Sequence, residues 1–193
     1  MTLAPWRSSL ARALHRNRSR PYSRYLQLAT LRSNGRPANR TVVFRGFMQD
    51  SNTLTLITDA RSEKVGHIAH QPWAEACWYF TETREQYRLT GTLLLINASY
   101  PDAVLQTARQ QTWESLSEAA RAQFTWPASG QTRDSQSAFE APAPHPSIPL
   151  ESFCLLLLLP VEVDHLELRG DPQTRTHYRF VEPEQWVVES INP

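Results

Sequence analysis

The way the β-type runs are joined constrains this chain most. Short runs rich in β-branched and aromatic residues follow one another through tight turns, and no strand–helix–strand alternation or internal repeat intervenes. Tyr25 to Arg32 and Thr41 to Met48 flank Ser33-Asn34-Gly35, whose residues suit the positive φ of a hairpin turn. After a second turn at Gln49 to Asn52, Thr53 to Thr58 (TLTLIT) alternates with period two, as a half-buried strand does. Ala74 to Thr81 and Gln86 to Ile96 are joined by a charged turn, Glu82 to Glu85. Thr176 to Val181 and Trp186 to Ile191 read as a closing hairpin. The expectation is a mainly β, α+β chain, a small antiparallel barrel with helices on its outside.

The helical segments are short. Pro5 suits a first helical turn, and Trp6, Leu10 and Leu14 recur on one face up to about Asn17. Ser62 is placed to cap a helix running to about His70, ended by Pro72. Pro101 to Gln111 and Ser115 to Phe124 read as helices, with Ser115 or Ser117 as caps. Thr125 to Leu150 holds five prolines and reads as a long irregular loop. Phe153 to Leu159 is the longest apolar run, far below the ~20 residues needed to cross a bilayer. It reads as a buried strand, and Val161 to Leu168 as a continuation after a break at Pro160.

One domain over residues 1–193 is expected, with 1–24 as an N-terminal helix and basic segment and 125–150 as the proline-rich loop. The apolar share of 40% and charged share of 20% are those of ordinary globular chains. Cys77 and Cys154 are too few and too far apart for a disulfide or metal framework, and both read as small core residues. His67 and His70 have a chelating spacing but no evident third ligand, so they read as surface histidines and no metal is expected. An arginine-rich start without a long apolar stretch argues against a secretory signal and for a cytoplasmic protein.

The charge distribution is more informative than the net charge of +1. No acid precedes Asp50, while ten arginines fall between Arg7 and Arg45. Such a front half needs an anionic ligand or acidic contacts from later in the chain. Arg40 and Arg45 lie five apart, facing opposite sides of a regular strand, and suit either solvent or phosphate. In Thr58-Asp59-Ala60-Arg61-Ser62-Glu63-Lys64 a strand gives way to a helix start beside the only lysine of the chain. That fits an ordinary capped helix or a site for a dianion. Gln86, in Arg84-Glu85-Gln86-Tyr87-Arg88-Leu89-Thr90-Gly91, offers a donor and an acceptor, for solvent or for a heteroaromatic edge.

In this order and spacing, the three segments resemble the pyridoxamine 5′-phosphate oxidase-like FMN-binding split-barrel family, as a divergent subgroup. The resemblance covers about Tyr25 to Ile96 and resumes from Phe153, where Arg175-Thr176-His177-Tyr178-Arg179 matches an R-x-H-x-R ending. It implies an antiparallel Greek-key split barrel, FMN as cofactor and a homodimer with FMN at its interface. It implies that Arg40 and Lys64, with Ser62 and Arg61, hold the FMN phosphate. Thr41, Val42, Val43 and Thr58 would line the flavin, and Gln86 would hydrogen-bond it. Arg45 would meet a substrate phosphate, and Arg175 and His177 would act on a pyridoxamine- or pyridoxine-like small-molecule substrate, with oxygen reoxidising the flavin. Two residues depart from the family pattern: Glu63 stands where a second phosphate-binding arginine is usual, and Arg169 replaces a tryptophan. Arg133-Asp134-Ser135-Gln136 echoes part of a substrate-phosphate set, but later than expected, and reads as incidental. The alternatives are an FMN-binding or flavin-reducing protein without vitamin B6 activity and, more remotely, a basic nucleic-acid-binding module.

Overall fold

The computed structural model describes residues 3–181 and 185–193. Among the described residues, nine antiparallel strands form a single curled sheet. They are β1 (Tyr25–Leu31), β2 (Pro37–Val43), β3 (Gly46–Phe47), β4 (Leu54–Asp59), β5 (Trp73–Phe80), β6 (Glu85–Ile96), β7 (Phe153–Glu167), β8 (Thr174–Val181) and β9 (Gln185–Ile191). Their order is β2-β1-β5-β6-β7-β4-β3, with β8 and β9 added beyond the second half of β7. Four α-helices accompany them among the described residues: α1 (Trp6–Arg16), α2 (Glu63–His70), α3 (Ala103–Glu114) and α4 (Glu118–Ala122). Among the described residues, no helix is long and apolar enough to cross a membrane.

The sheet curls because the chain changes edges at Phe44 and Arg45. The Phe44 N–H donates to Arg24 O at 2.7 Å, beside β1, and the next N–H, of Arg45, donates to Thr55 O of β4 at 2.8 Å. The strand expected over Thr41 to Met48 is therefore two. It begins earlier, at Pro37, stops at Val43, and resumes at Gly46, whose φ of +148° is open to glycine. No ladder joins β2 to β4, so the barrel stays split along that seam.

Alternation fills the inside. Leu26 and Leu28 of β1, Trp78 and Phe80 of β5, Tyr87 and Leu89 of β6, and Leu56 of β4 are all buried against one another. The unbroken apolar run of β7 serves two layers. Leu156 and Leu158 point into the barrel, whereas Phe153, Leu155 and Leu157 face the outer clusters under α3 and α4. The expected break at Pro160 does not occur. Pro160 sits at a register shift opposite Thr90 and Gly91, where the missing N–H leaves no gap in the ladder. At that shift the β7 backbone crowds β6 so closely that a Cβ on Gly91 would lie 2.1 Å from Leu159 O.

The helix of α1 spans the expected segment, with Trp6, Leu10 and Ala13 buried and Asn17 closing its end. α2 starts one residue after Ser62 as expected. α3 begins two residues late, because Asp102 Oδ1 rather than Pro101 sets its start by accepting the Leu105 N–H at 2.9 Å. The second of that pair shortens to α4, capped by Ser117, and gives way to a 3₁₀ turn at Gln123–Thr125. Arg109 is buried, donating to Leu150 O and Phe153 O, and so pins the end of the proline-rich loop onto β7. The closing hairpin forms from β8 and β9, with residues 182–184 outside the described residues.

Candidate functional site

The seam between β2 and β4 opens into a cavity of about 380 Å³, in the range of small-molecule sites. One wall is Arg40 to Val43 of β2 with Arg45, and the opposite wall is Ile57 and Asp59 of β4 with Lys64 of α2. The roof comes from a segment that pattern reading left without a role: Phe124, Trp126, Pro127 and Ser129. The Trp113–Phe124–Phe153 cluster carries that segment, and Arg61 Nη2 and Ser152 Oγ both donate to Phe124 O. Trp126 in turn packs edge-on against Phe139, and Arg133 lies over the same ring. A Trp-Pro pair inside a polar, proline-rich stretch was the available signal for this roof.

The electrostatics of the cavity are cationic. Lys64 Nζ donates to Thr58 Oγ1 at 2.9 Å and to Ser62 Oγ at 2.6 Å, so Ser62 serves the lysine rather than capping α2 with its side chain. Burial, then the neighbouring Arg40, lowers the Lys64 pKa. Burial also lowers the pKa of Arg40, whose Nη2 is buried without a hydrogen-bond partner. Burial and nearby Arg24 lower that of Arg45, which also borders a second cavity of about 650 Å³ between β3 and α3. Three withdrawn cations and an orphaned N–H suit an anion with several acceptor oxygens.

The two acids nearby are accounted for. Asp59 lines the cavity, but Arg61 holds it through Nε at 2.9 Å and Nη2 at 2.6 Å. Arg61 is thus spent on Asp59 and on Phe124 O, beside the cavity rather than on its wall. The Glu63 carboxylate lies 3.7 Å from Arg40 Nη2 and 3.9 Å from Arg32.

Gln86, Arg175 and His177 do not line this cavity. They lie on the outer face of the sheet, where Gln86 stands opposite Tyr79 and Leu166. Asp164 on that face accepts from Arg175 Nε at 3.0 Å, from Arg175 Nη2 at 2.7 Å and from Arg88 Nη2 at 2.9 Å. Burial alone would raise the Asp164 pKa, but the hydrogen bonds and charges of the two arginines hold it below its ordinary value. His177 Nε2 lies 4.0 Å from Glu162. Tyr25, Trp73 and Tyr79 flank these polar residues on the same face and are more than two-fifths exposed.

Residues away from the cavity divide between core and surface. His67 is buried, not at the surface, and its Nδ1 lies 3.0 Å from Thr30 Oγ1. Cys154 is buried, whereas Cys77 is only partly so. Trp78 is core, Trp186 packs against the core and Trp73 is exposed. The N-terminal arginines are dispersed in their contacts: Arg7 over the Phe47 ring, Arg20 on Glu82, Arg18 on His15 O.

A split antiparallel barrel with a cationic seam defines a phosphate-bearing-cofactor protein, and comparison with known proteins makes the class specific. Residues 3–97 match the family model "Pyridoxamine 5'-phosphate oxidase, FMN-binding domain". The chain is 37% identical to pyridoxine/pyridoxamine 5′-phosphate oxidase 2 of Arabidopsis thaliana, over 99% of this chain and 98% of that one. It is 57% identical to a pyridoxamine 5′-phosphate oxidase-related, FMN-binding protein of Nostoc punctiforme, with a TM-score of 0.97 over the whole of both chains. PhzG of Burkholderia lata shares the fold, with a TM-score of 0.78 over 96% of this chain and 91% of that one, at 19% identity. The chain belongs to the pyridoxamine 5′-phosphate oxidase-like, FMN-binding split-barrel family, and FMN is its cofactor.

Proposed function

We propose that this protein is an FMN-dependent oxidase of pyridoxamine or pyridoxine 5′-phosphate, working in the cytoplasm as a homodimer. The observation that carries the reading is the cationic seam, with the buried, unpartnered Nη2 of Arg40 beside Lys64. Full-length similarity to a plant oxidase of these vitamers supports the substrate class.

In this reading Arg40, Lys64 and the Ser62 hydroxyl hold the FMN phosphate. Arg61 contributes indirectly, by neutralising Asp59 so that the cavity stays cationic. Thr41 to Val43 and Thr58 border the flavin ring system. When bound, FMN supplies two-electron chemistry, taking a hydride from substrate carbon and passing the electrons to oxygen as peroxide. Arg45, on the border of both cavities, meets the substrate's phosphate. Gln86, Arg175 and His177 come from the outer face of a second copy, whose exposed Tyr25, Trp73 and Tyr79 supply apolar contact area. With two of its nitrogens on Asp164, Arg175 offers its flat face to a pyridine ring. His177 hydrogen-bonds the reacting amine and exchanges a proton with it.

The test is a visible spectrum and a turnover assay on the purified protein. One FMN per chain, with peroxide, ammonia and pyridoxal 5′-phosphate formed from pyridoxamine 5′-phosphate, oxygen and water, is the expected result. Bound flavin without vitamer oxidation favours the second reading, a flavin-binding or flavin-reducing protein. The engagement of Arg175 with Asp164 is the observation on that side.

A further inference from the structure

Arg40 reaches from β2 across to β1, and the structure holds the groups that fix its position. Its Nη1 donates to Thr30 Oγ1 at 2.7 Å, to Ala38 O at 2.9 Å and to Leu28 O at 3.1 Å. Thr30 is 2% exposed, and its Oγ1 lies 3.0 Å from Nδ1 of His67, which is 8% exposed. A guanidinium only donates, so Thr30 Oγ1 accepts from Arg40, and its own proton is left for His67 Nδ1. α2 therefore reaches the seam at two points. Its first turn presents Lys64, and its second, through His67 and Thr30, holds Arg40. Its Nη2 is buried without a hydrogen-bond partner, the Glu63 carboxylate lying 3.7 Å away.

We infer that Thr30 and His67 are positioning residues that preset Arg40 for the FMN phosphate, an inference resting on the cradle proposed above. An arginine free in solvent loses rotamer freedom when it binds, and one already fixed does not. The same contacts tie β1, β2 and α2 together, so Arg40 is held to the helix that presents Lys64. Neither residue touches the cofactor in this reading, so the effect belongs to the phosphate alone.

The phosphate contribution is isolated by titrating the apoprotein with FMN and with riboflavin and taking the ratio of the two dissociation constants. Thr30→Val keeps the shape and removes the hydroxyl. It is expected to weaken FMN about tenfold, the range for a hydrogen bond to a charged group, and to leave riboflavin within about twofold. Thr30→Ser is expected to restore the ratio, and His67→Leu, which removes only the outer partner, to lower it in the same sense. In an Arg40→Ala background, Thr30→Val should change the ratio no further. If Thr30→Val weakens FMN and riboflavin equally, or neither, while Arg40→Ala still collapses the ratio, the inference is overturned and the cradle stands. If Arg40→Ala leaves FMN affinity unchanged, the cradle falls and the inference with it.

Discussion

Lys64 is largely withdrawn from water and close to Arg40, and both conditions push its pKa down. Its charge therefore opposes folding of the empty protein and favours binding of a dianion. Lys64→Met is expected to raise the melting temperature of the apoprotein and to weaken FMN ten- to a hundredfold, about 1.5–3 kcal/mol for a charge-assisted contact. A lower melting temperature together with unchanged affinity would refute that account. Glu63 acts in the opposite sense, its carboxylate 3.7 Å from the nitrogen of Arg40 that is free for phosphate. Because Glu63 is well exposed, Glu63→Gln should tighten FMN only about two- to fivefold, the scale of a surface pair, and the gain should vanish at high salt. Asp164 supplies a pH dependence. Its folded pKa lies below its unfolded value, so the stability it confers is present above the unfolded pKa and lost as pH falls through the folded one. Asp164→Asn should flatten the fall in urea midpoint between about pH 5 and pH 3, and an unchanged slope would assign that fall to other carboxylates.

At the scale of elements, β6 and β7 form the spine, and their register shift rests on Gly91. A Cβ there meets the Leu159 carbonyl at 2.1 Å, with backbone on both sides and no flexible side chain to yield. Gly91→Ala should cost more than about 3 kcal/mol in equilibrium unfolding, among the larger single-site effects. A cost below 1 kcal/mol would mean that the spine can shift. This bulge also explains what the sequence could and could not disclose. Strands whose partners lie next to them in the chain were legible from alternation and turn residues, as at Tyr25–Arg32 and Thr53–Thr58. Pro160 looked like a terminator because the compensating glycine lies about seventy positions earlier, beyond any local pattern. The cationic wall was legible because lysine is rare here and acids are absent before Asp50. The roof at Phe124 to Ser129 was not, since it is carried by the packing of Phe124 on Trp113 and Phe153, which meet only in the folded chain. His67 on α2 misled for a similar reason: its partner Thr30 belongs to β1, 37 positions earlier.

At the scale of the whole molecule, the cavity lies at the seam, whereas Gln86, Arg175 and His177 lie on the outer face of the sheet. In the proposed homodimer the aromatic rim of that face is covered by the second copy. Replacing Trp73 and Tyr79 together by glutamate should shift the protein from dimer to monomer in light scattering and release FMN with it. A monomer that still binds FMN at full affinity would refute the shared site. The open seam has a consequence for the life of the chain before it meets its cofactor. β2 ends the sheet with an outer edge that no further strand pairs, and the facing edge of β4 is met by the two residues of β3 and the Arg45 amide. Such rims are templates for another chain's backbone. Protein made in a flavin-starved cell would then be more prone to aggregate than the loaded form, so riboflavin supply would bear on how much of it persists as well as on how much carries its cofactor.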